Sequence, residues 1–410
     1  MRKFTWIICF AFLLFGCTTA QTPTPTAEPA TSTARPTQTP PPTSTPTPIP
    51  TATETDIPTE TPLPTETSRP TRTPRPTKTA TPVVDRFPVE EQFTIYGDEP
   101  AVPNNNIGPN GQQYTDPGGV IFHDGKFHMF HNAFTGWPAS VDVMYSVSDD
   151  GINWELAQAE PVFEGDEVEY AGVALLASSI MVLDDGTWAM YLYSWDDFSW
   201  PVSGSSIALA TAPNPTGPWT ALDEPILRPG SEGEWDDLAV RTPSVIRTVE
   251  GYEMFYGGFQ RGSASIGRAT SADGLTWVKD NDPDTTEAPL AESDPIFSGS
   301  GADWDWRNVY QPRVRQTDSG LVMLYTSASS IGGNTLNQEH GLAYSKNNGE
   351  DWIRSGTEMF KARDVKSQGQ NIWYTELEYA LDRFFIFLEL GVGNKTEIYV
   401  AEFDVSLLPD

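Results

Sequence analysis

Residues 242–255 read TPSVIRTVEGYEMF, and the same pattern stands at 116–130 as DPGGVIFHDGKFHMF and at 311–325 as QPRVRQTDSGLVMLY. Each copy opens beside a proline, reaches a turn glycine eight residues later (Gly125, Gly251, Gly320), and runs on into a methionine accompanied by an aromatic residue. Gly186 with Met190-Tyr191 marks a further copy that opens at Ser178. Apolar residues alternating on both sides of a glycine turn define β-hairpins. A third strand follows each hairpin, at Met144-Tyr145-Ser146, 208–211, 267–270 and 342–345, and closes in a polar turn that ends on Trp154, Trp219, Trp277 or Trp352. Fourth-strand endings follow at Pro161-Val162-Phe163, Pro225-Ile226-Leu227, Pro295-Ile296-Phe297 and, more loosely, Glu358-Met359-Phe360.

Units of four strands opening at positions 117, 178, 243 and 312 step by 61, 65 and 69 residues, which is the period of propeller blades. A fifth unit starts near Trp373-Tyr374, with further strands at 384–388 and 397–403 but no fourth. Residues 92–102, ending Asp98-Glu99-Pro100-Ala101-Val102, read like the fourth-strand endings and are expected to close the ring as the outer strand of the last blade, leaving no sheet edge open. The expected fold is therefore an all-β, five-bladed propeller of four-stranded antiparallel blades over residues 84–410. The repeated Trp, Met and Pro are packing residues, and the recurrent Tyr170, Trp235 and Trp304, each eight residues before a blade opening, are scaffolding between blades.

Ahead of this domain, Met1 to Cys17 has a basic start at Arg2 and Lys3, an apolar run from Phe4 to Phe15, and a small Gly16 before Cys17, the layout of an export signal too short to span a bilayer. It resembles a bacterial lipoprotein signal, which implies lipidation of Cys17 and a surface-anchored, extracytoplasmic protein; cleavage after Ala20 with simple secretion is the alternative. Residues 18–83 are dominated by Thr and Pro, bury nothing, and form an extended disordered tether. At ~3.1 Å per residue, such a tether reaches on the order of 200 Å. The two cysteines, Cys9 and Cys17, leave the domain without a disulfide. With 25 basic against 56 acidic residues and a formal net charge of −31, nucleic acid and anionic membrane surfaces are repelled, so the lipid anchor is the only expected membrane contact. A monomer is expected.

In a propeller, residues at the start of each innermost strand converge on one mouth of the axial channel, and function belongs where the blades differ. The opening positions are Asp116, Ala177, Thr242, Gln311 and Trp373. Tyr114-Thr115-Asp116-Pro117, followed by Gly125-Lys126-Phe127-His128-Met129-Phe130, resembles the first blade of the five-bladed glycoside hydrolases of families 43, 32 and their relatives. That resemblance implies a carbohydrate ligand, an oligo- or polysaccharide such as an arabinoside, xyloside or fructoside, and makes Asp116 the catalytic base or nucleophile. It also implies a second, protonated carboxyl for the leaving oxygen. The family 43 acid position holds Tyr310 and its tuning aspartate position holds Thr242. The family 32 acid position holds Arg241. The stretch 309–314 is similar to a strand of the family 130 mannoside phosphorylases, with Gln311 in place of an acidic residue.

Glu376 at the start of the fifth blade is the expected catalytic partner. Glu389, Asp236, Asp237, Asp196 and Asp197 are the other candidates. Arg241 and Arg313 are expected to orient sugar hydroxyls, or alternatively to form salt bridges between blades. Trp137, Trp195 and Trp200 in the loops between second and third strands offer faces for sugar stacking, unless they tuck beneath the rim. Gln311 and Trp373 at the mouth complete the expected substrate contacts. No cofactor is required. His131 and His340 make no metal motif, and some relatives hold an axial calcium or sodium ion. A non-catalytic carbohydrate-binding propeller is the competing reading.

Overall fold

The computed structural model describes residues 85–89, 92–103, 106–136, 139–165, 168–195, 204–330 and 338–409. Cys17, the Thr/Pro-rich stretch and the loop candidates Trp137, Asp196, Asp197 and Trp200 lie outside the described residues. The described chain is all-β apart from single-turn helices such as Ala362–Val365, and none of its helices is long and apolar enough to cross a membrane.

Five small sheets follow one another. Their inner strands are Tyr114–His123, Ala174–Val182, Ala239–Thr248, Asn308–Thr317 and Ile372–Ala380, which we assign to blades I to V. Each inner strand packs on those of the preceding and following blades, and blade V returns to blade I, so the five close a ring about an axis. Second and third strands continue each meander antiparallel, for example Lys126–Phe134 with Asp142–Ser148 in blade I. The outer edges are more broken than the sequence suggests. In blade I two short pieces, Glu155–Leu156 and Phe163–Glu164, both pair with the third strand, and in blade III Val278–Lys279 and Pro295–Phe297 do the same.

The reason lies in the turn before them. Ser148 Oγ accepts from Gly151 N at 2.9 Å, Asp150 Oδ1 accepts from Ile152 N and Asn153 N at 2.8 Å, and Trp154 Nε1 donates to Gly151 O at 3.0 Å. Ser271, Asp273 and Trp277 repeat the same bonds in blade III, and Ser345, Asn347 and Trp352 a variant of them in blade IV. The tryptophan so fixed packs edge-on against an aromatic of the preceding blade, Trp154 on Phe387 and Trp277 on Tyr191, and spends the residues an unbroken strand would use.

Ring closure follows the sequence expectation. Thr94–Tyr96 pairs antiparallel with Val400–Glu402 of blade V, and Val102 bridges Ile398. A further piece, Arg86–Phe87, adds parallel to Ile353–Ser355 of blade IV, so the entering chain is stitched to two blades. Between blades the cores are continuous. Fully buried Phe127 meets Phe385 of blade V at 5.0 Å, and truncating such a ring to alanine costs roughly 3–5 kcal/mol.

Trp235 and Trp304 are scaffold residues. Each stacks on a buried tyrosine, Tyr256 or Tyr325, whose hydroxyl bonds Asp236 or Asp305. Gly341 lets the Trp304 ring lie on its backbone, since a Cβ there would sit 2.2 Å from it.

Candidate active site

All five inner strands slip register at one end: between Asp116 and Gly119, Ala177 and Ser179, Arg241 and Ser244, Tyr310 and Arg313, and Ile372 and Thr375. Such bulges re-aim the side chains beside them. Thr242 and Gln311, both inside bulges, are left-handed at φ 49° and 53°, a conformation a β-branched threonine takes only when its surroundings impose it. Strain therefore collects at the mouth where the candidate residues converge.

Asp116 is 3% exposed. Its Oδ1 accepts from Asn132 Nδ2 at 2.7 Å, and the same amide is held by the neighbouring blade through Ala177 O at 3.0 Å and Ala177 N at 2.9 Å, which fixes its orientation. Asp116 Oδ2 is buried with no hydrogen-bond partner among the described residues. Burial pushes the Asp116 carboxyl up to about 7, against the opposing pull of Asn132 and Arg313.

Glu389 comes from the second strand of blade V, directly opposite the bulge, since its neighbours Leu388 and Leu390 pair with Thr375 and Ile372. It too is 3% exposed. Burial raises it well above the ordinary carboxylate range, and the charge of Asp116 raises it further, although the Thr396 hydroxyl and the Tyr374 backbone N–H favour its ionised form. Thr396 clamps this corner to blade I by accepting from Thr115 N at 2.8 Å and donating to Thr115 O at 3.1 Å. Two interacting buried carboxyls cannot ionise together cheaply, and the charge of an ionised Asp116 holds the proton on Glu389.

Around this pair stand Tyr193 and Tyr374, whose hydroxyls bond each other; burial holds both as phenols, Tyr374 at about 12. Arg241 lies 4.0 Å over Trp195 and 5.3 Å from Phe259, and its charge pulls both tyrosine hydroxyls down against that burial. Trp195 is only 6% exposed, so the face read from sequence as a sugar platform is occupied by Arg241. Gln311 accepts from the Thr326 hydroxyl at 2.8 Å. Trp373 is half-buried, with its indole nitrogen beside Gly391.

Arg313 spans the channel beneath: Nε donates to Thr375 O of blade V at 2.9 Å, and Nη1 to Thr242 O of blade III at 3.3 Å. Its Nε also lies 2.7 Å from Glu376 Oε2, an ionic contact whose hydrogen is directed at the Thr375 carbonyl. Glu376 sits past the bulge, also held by Arg315 at 2.9 Å, and Arg315 in turn holds Glu378 at 2.7 Å. Burial raises Glu376 to about 7 against these two guanidiniums. Glu376 thus lies in an ion-pair ladder, whereas Glu389 lies beside Asp116. Asp236 is bonded by Lys279 at 2.6 Å and Tyr256, and Asp237 accepts from Gly233 N, both as scaffold. His131, between Thr115 and Ser146 hydroxyls, is held neutral by burial at about 3. Among the described residues no three His, Cys, Asp or Glu side chains converge to hold a metal.

Tyr193, Tyr374 and Asn132 escape a sequence reading. Their only signal is a polar group at a strand position otherwise occupied by core residues, and the same is true of Glu389 within Phe384-Phe385-Ile386-Phe387-Leu388-Glu389.

Residues 107–290, which span blades I to III, match the family described as Glycosyl hydrolases family 32 N-terminal domain. No curated protein matches the sequence. Among solved structures, a glycosyl hydrolase from Bacteroides ovatus is similar at TM-score 0.57 and 18% identity, over 80% of this chain and 98% of its own. A structure from the family 130 of mannoside phosphorylases, described as containing glycoside hydrolases that target β-1,2 mannosidic linkages in Candida mannan, gives the same values. The β-1,2-mannobiose phosphorylase of Listeria innocua, in complex with β-1,2-mannobiose, is similar at TM-score 0.54 and 13% identity, over 77% and 97%. At these identities the likeness is one of fold, and together with the family match it bears out the resemblance to five-bladed propeller glycoside hydrolases.

Proposed function

We propose that this glycoside-hydrolase-like propeller is a hydrolase of oligo- or polysaccharides, with Asp116 as base or nucleophile and Glu389, in place of Glu376, as the acid that protonates the leaving oxygen. The observation that carries this reading is the pairing of Asp116, one oxygen uncommitted, with a second buried carboxyl at the axial mouth. A buried pair with separated protonation states is what acid and base roles need at neutral pH. Arg241, Gln311 and the two tyrosine hydroxyls are the groups suited to orient sugar hydroxyls, with Trp373 and Trp137 as stacking faces. Arabinosides, xylosides and fructosides follow from the sequence resemblance, and β-mannosides join them through the fold neighbours.

The competing reading, a binding propeller without catalysis, draws on Arg241, Thr242 and Tyr310 standing where the named families keep acidic residues. A panel of arabino-, xylo-, fructo- and manno-oligosaccharides separates the two. Hydrolysis by the wild type, with at least ~100-fold slower turnover and retained binding in Asp116→Asn, supports the enzyme. Sugar binding without hydrolysis leaves the binding module.

The localisation belongs to the same proposal: the domain works outside the cytoplasm on a tether anchored at lipidated Cys17. Mass analysis of membrane fractions should find the acylated cysteine, and Cys17→Ala should release the protein to the medium. A mature chain that begins after Ala20 without lipid overturns the anchor.

A further inference from the structure

A concave site lies off the axis, between the residues that lead into the inner strands of blades IV and V. It is a cavity of about 460 Å³ bounded by the residues that lead into the inner strands of both blades and by the start of the third strand of blade IV. Its wall holds Trp304, Trp306, Gln338, Glu339 and Glu358. Blade III has the same Trp–Tyr–Asp hub. There the indole N–H of Trp235 donates to Ser293 Oγ at 3.0 Å. In blade IV the corresponding Trp304 Nε1 is buried with no partner among the described residues, and Gln338 Oε1 on the same wall is in the same condition. A buried donor and a buried acceptor left unmade are each destabilising, so their persistence in one wall needs a ligand or water to complete them. Beside them Trp306 is 45% exposed at the rim, with the Arg307 guanidinium 5.7 Å from its ring centroid.

We propose that this cleft is an accessory sugar-binding site, which holds a neutral saccharide unit of a polymer against Trp306 while Trp304 Nε1 and Gln338 Oε1 bond its hydroxyls and Asp116 acts elsewhere on the same chain. The inference rests on the glycan-active reading above. Neutral sugar is the chemical class indicated: an aromatic face takes the apolar side of a pyranose or furanose, and carboxylates with amides take its hydroxyls. Asp303, Glu339 and Glu358 outnumber Lys361 in the wall, so a uronate or sulfated chain is repelled.

The test uses the full-length protein with soluble arabinan, xylan, levan and mannan beside tetrasaccharides of the same linkages. Trp306→Ala should raise KM for the cleaved polymer about tenfold while leaving kcat and the tetrasaccharide KM unchanged, as expected when one stacked ring far from the reacting bond is lost. Trp304→Phe keeps the stack on Tyr325 and removes only the N–H, and should raise polymer KM about threefold to tenfold. Unchanged polymer KM in both folded variants, with hydrolysis intact, overturns the accessory site alone. Equal losses on tetrasaccharide and polymer also overturn it, because the cleft would then belong to the catalytic subsites. A wild type that binds and cleaves none of these glycans overturns the glycan reading itself.

Discussion

The two levels of the axial channel hold the same kind of residue in opposite states. At the mouth, Asp116 and Glu389 are buried carboxyls side by side, and Asp116 Oδ2 is uncommitted. A few residues further along the inner strands, Glu376 and Glu378 are equally buried but alternate with Arg313 and Arg315, and Arg315 Nη2 also reaches Val120 O of blade I at 3.1 Å. Burial alone therefore does not mark a catalytic carboxyl. The lower layer is compensated charge that ties blades I, IV and V together, whereas the upper layer holds two carboxyls with no cation bonded to either among the described residues, the arrangement that the proposed acid and base roles need.

The largest expected effect comes from breaking the lower layer. Arg315→Met leaves Glu376 and Glu378 buried without their cation and should cost about 3–5 kcal/mol in chemical denaturation. A loss below about 1 kcal/mol would make the ladder ornamental. The next contrast sets Glu389→Gln against Glu376→Gln in kinetics. The first should lower kcat by at least ~100-fold in a protein that melts no lower than the wild type, whereas the second should lower the melting temperature and leave kcat of the folded enzyme within a few-fold. The reverse pattern restores Glu376 as the acid.

The smallest effect is in pH. Asp116 and Glu389 hold their protons in the folded state above the values of 3.8 and 4.5 that they have when unfolded, so the native state binds more protons. The stability this adds is fully present below pH 4 and is lost as pH rises through about 7, where Asp116 ionises, and beyond for Glu389. Melting temperature should fall from pH 5 to pH 8, and less so in Glu389→Gln. A variant with the same decline as the wild type would show that Glu389 is already ionised at pH 5. Activity should instead rise through the Asp116 titration near pH 7 and fall again where Glu389 loses its proton.

The fold was legible because its pattern is written four times: a turn Gly and a Met three or four residues later recur in every copy, an opening Pro in three of them, and Pro100-Ala101-Val102 betrays the closing strand by its likeness to other blade ends. Arg86-Phe87 in blade IV was not legible, since two residues carry no period and their partner strand is set by Arg86 reaching Asp305 at 2.8 Å and Ser355 O at 2.9 Å. In the site, Asp116 was singled out by its local motif, and the structure places it buried at the bulge of blade I. Glu389 and Glu376 were indistinguishable as lone acids in apolar strands, because what separates them is the company of Arg313 and Arg315 from another blade.

The closing strand has a consequence for how the molecule comes into being. Thr94–Tyr96 is made before any blade exists, yet the strand it must pair with, Lys395–Asp404, is made only after blades I to IV. The ring is thus a clasp whose two halves flank the other four blades in the chain, so that four blades can assemble in sequence while the fifth waits. Loop closure over nearly the whole domain is entropically slow. Until the clasp engages, the outer edge of the last blade is left without its partner strand.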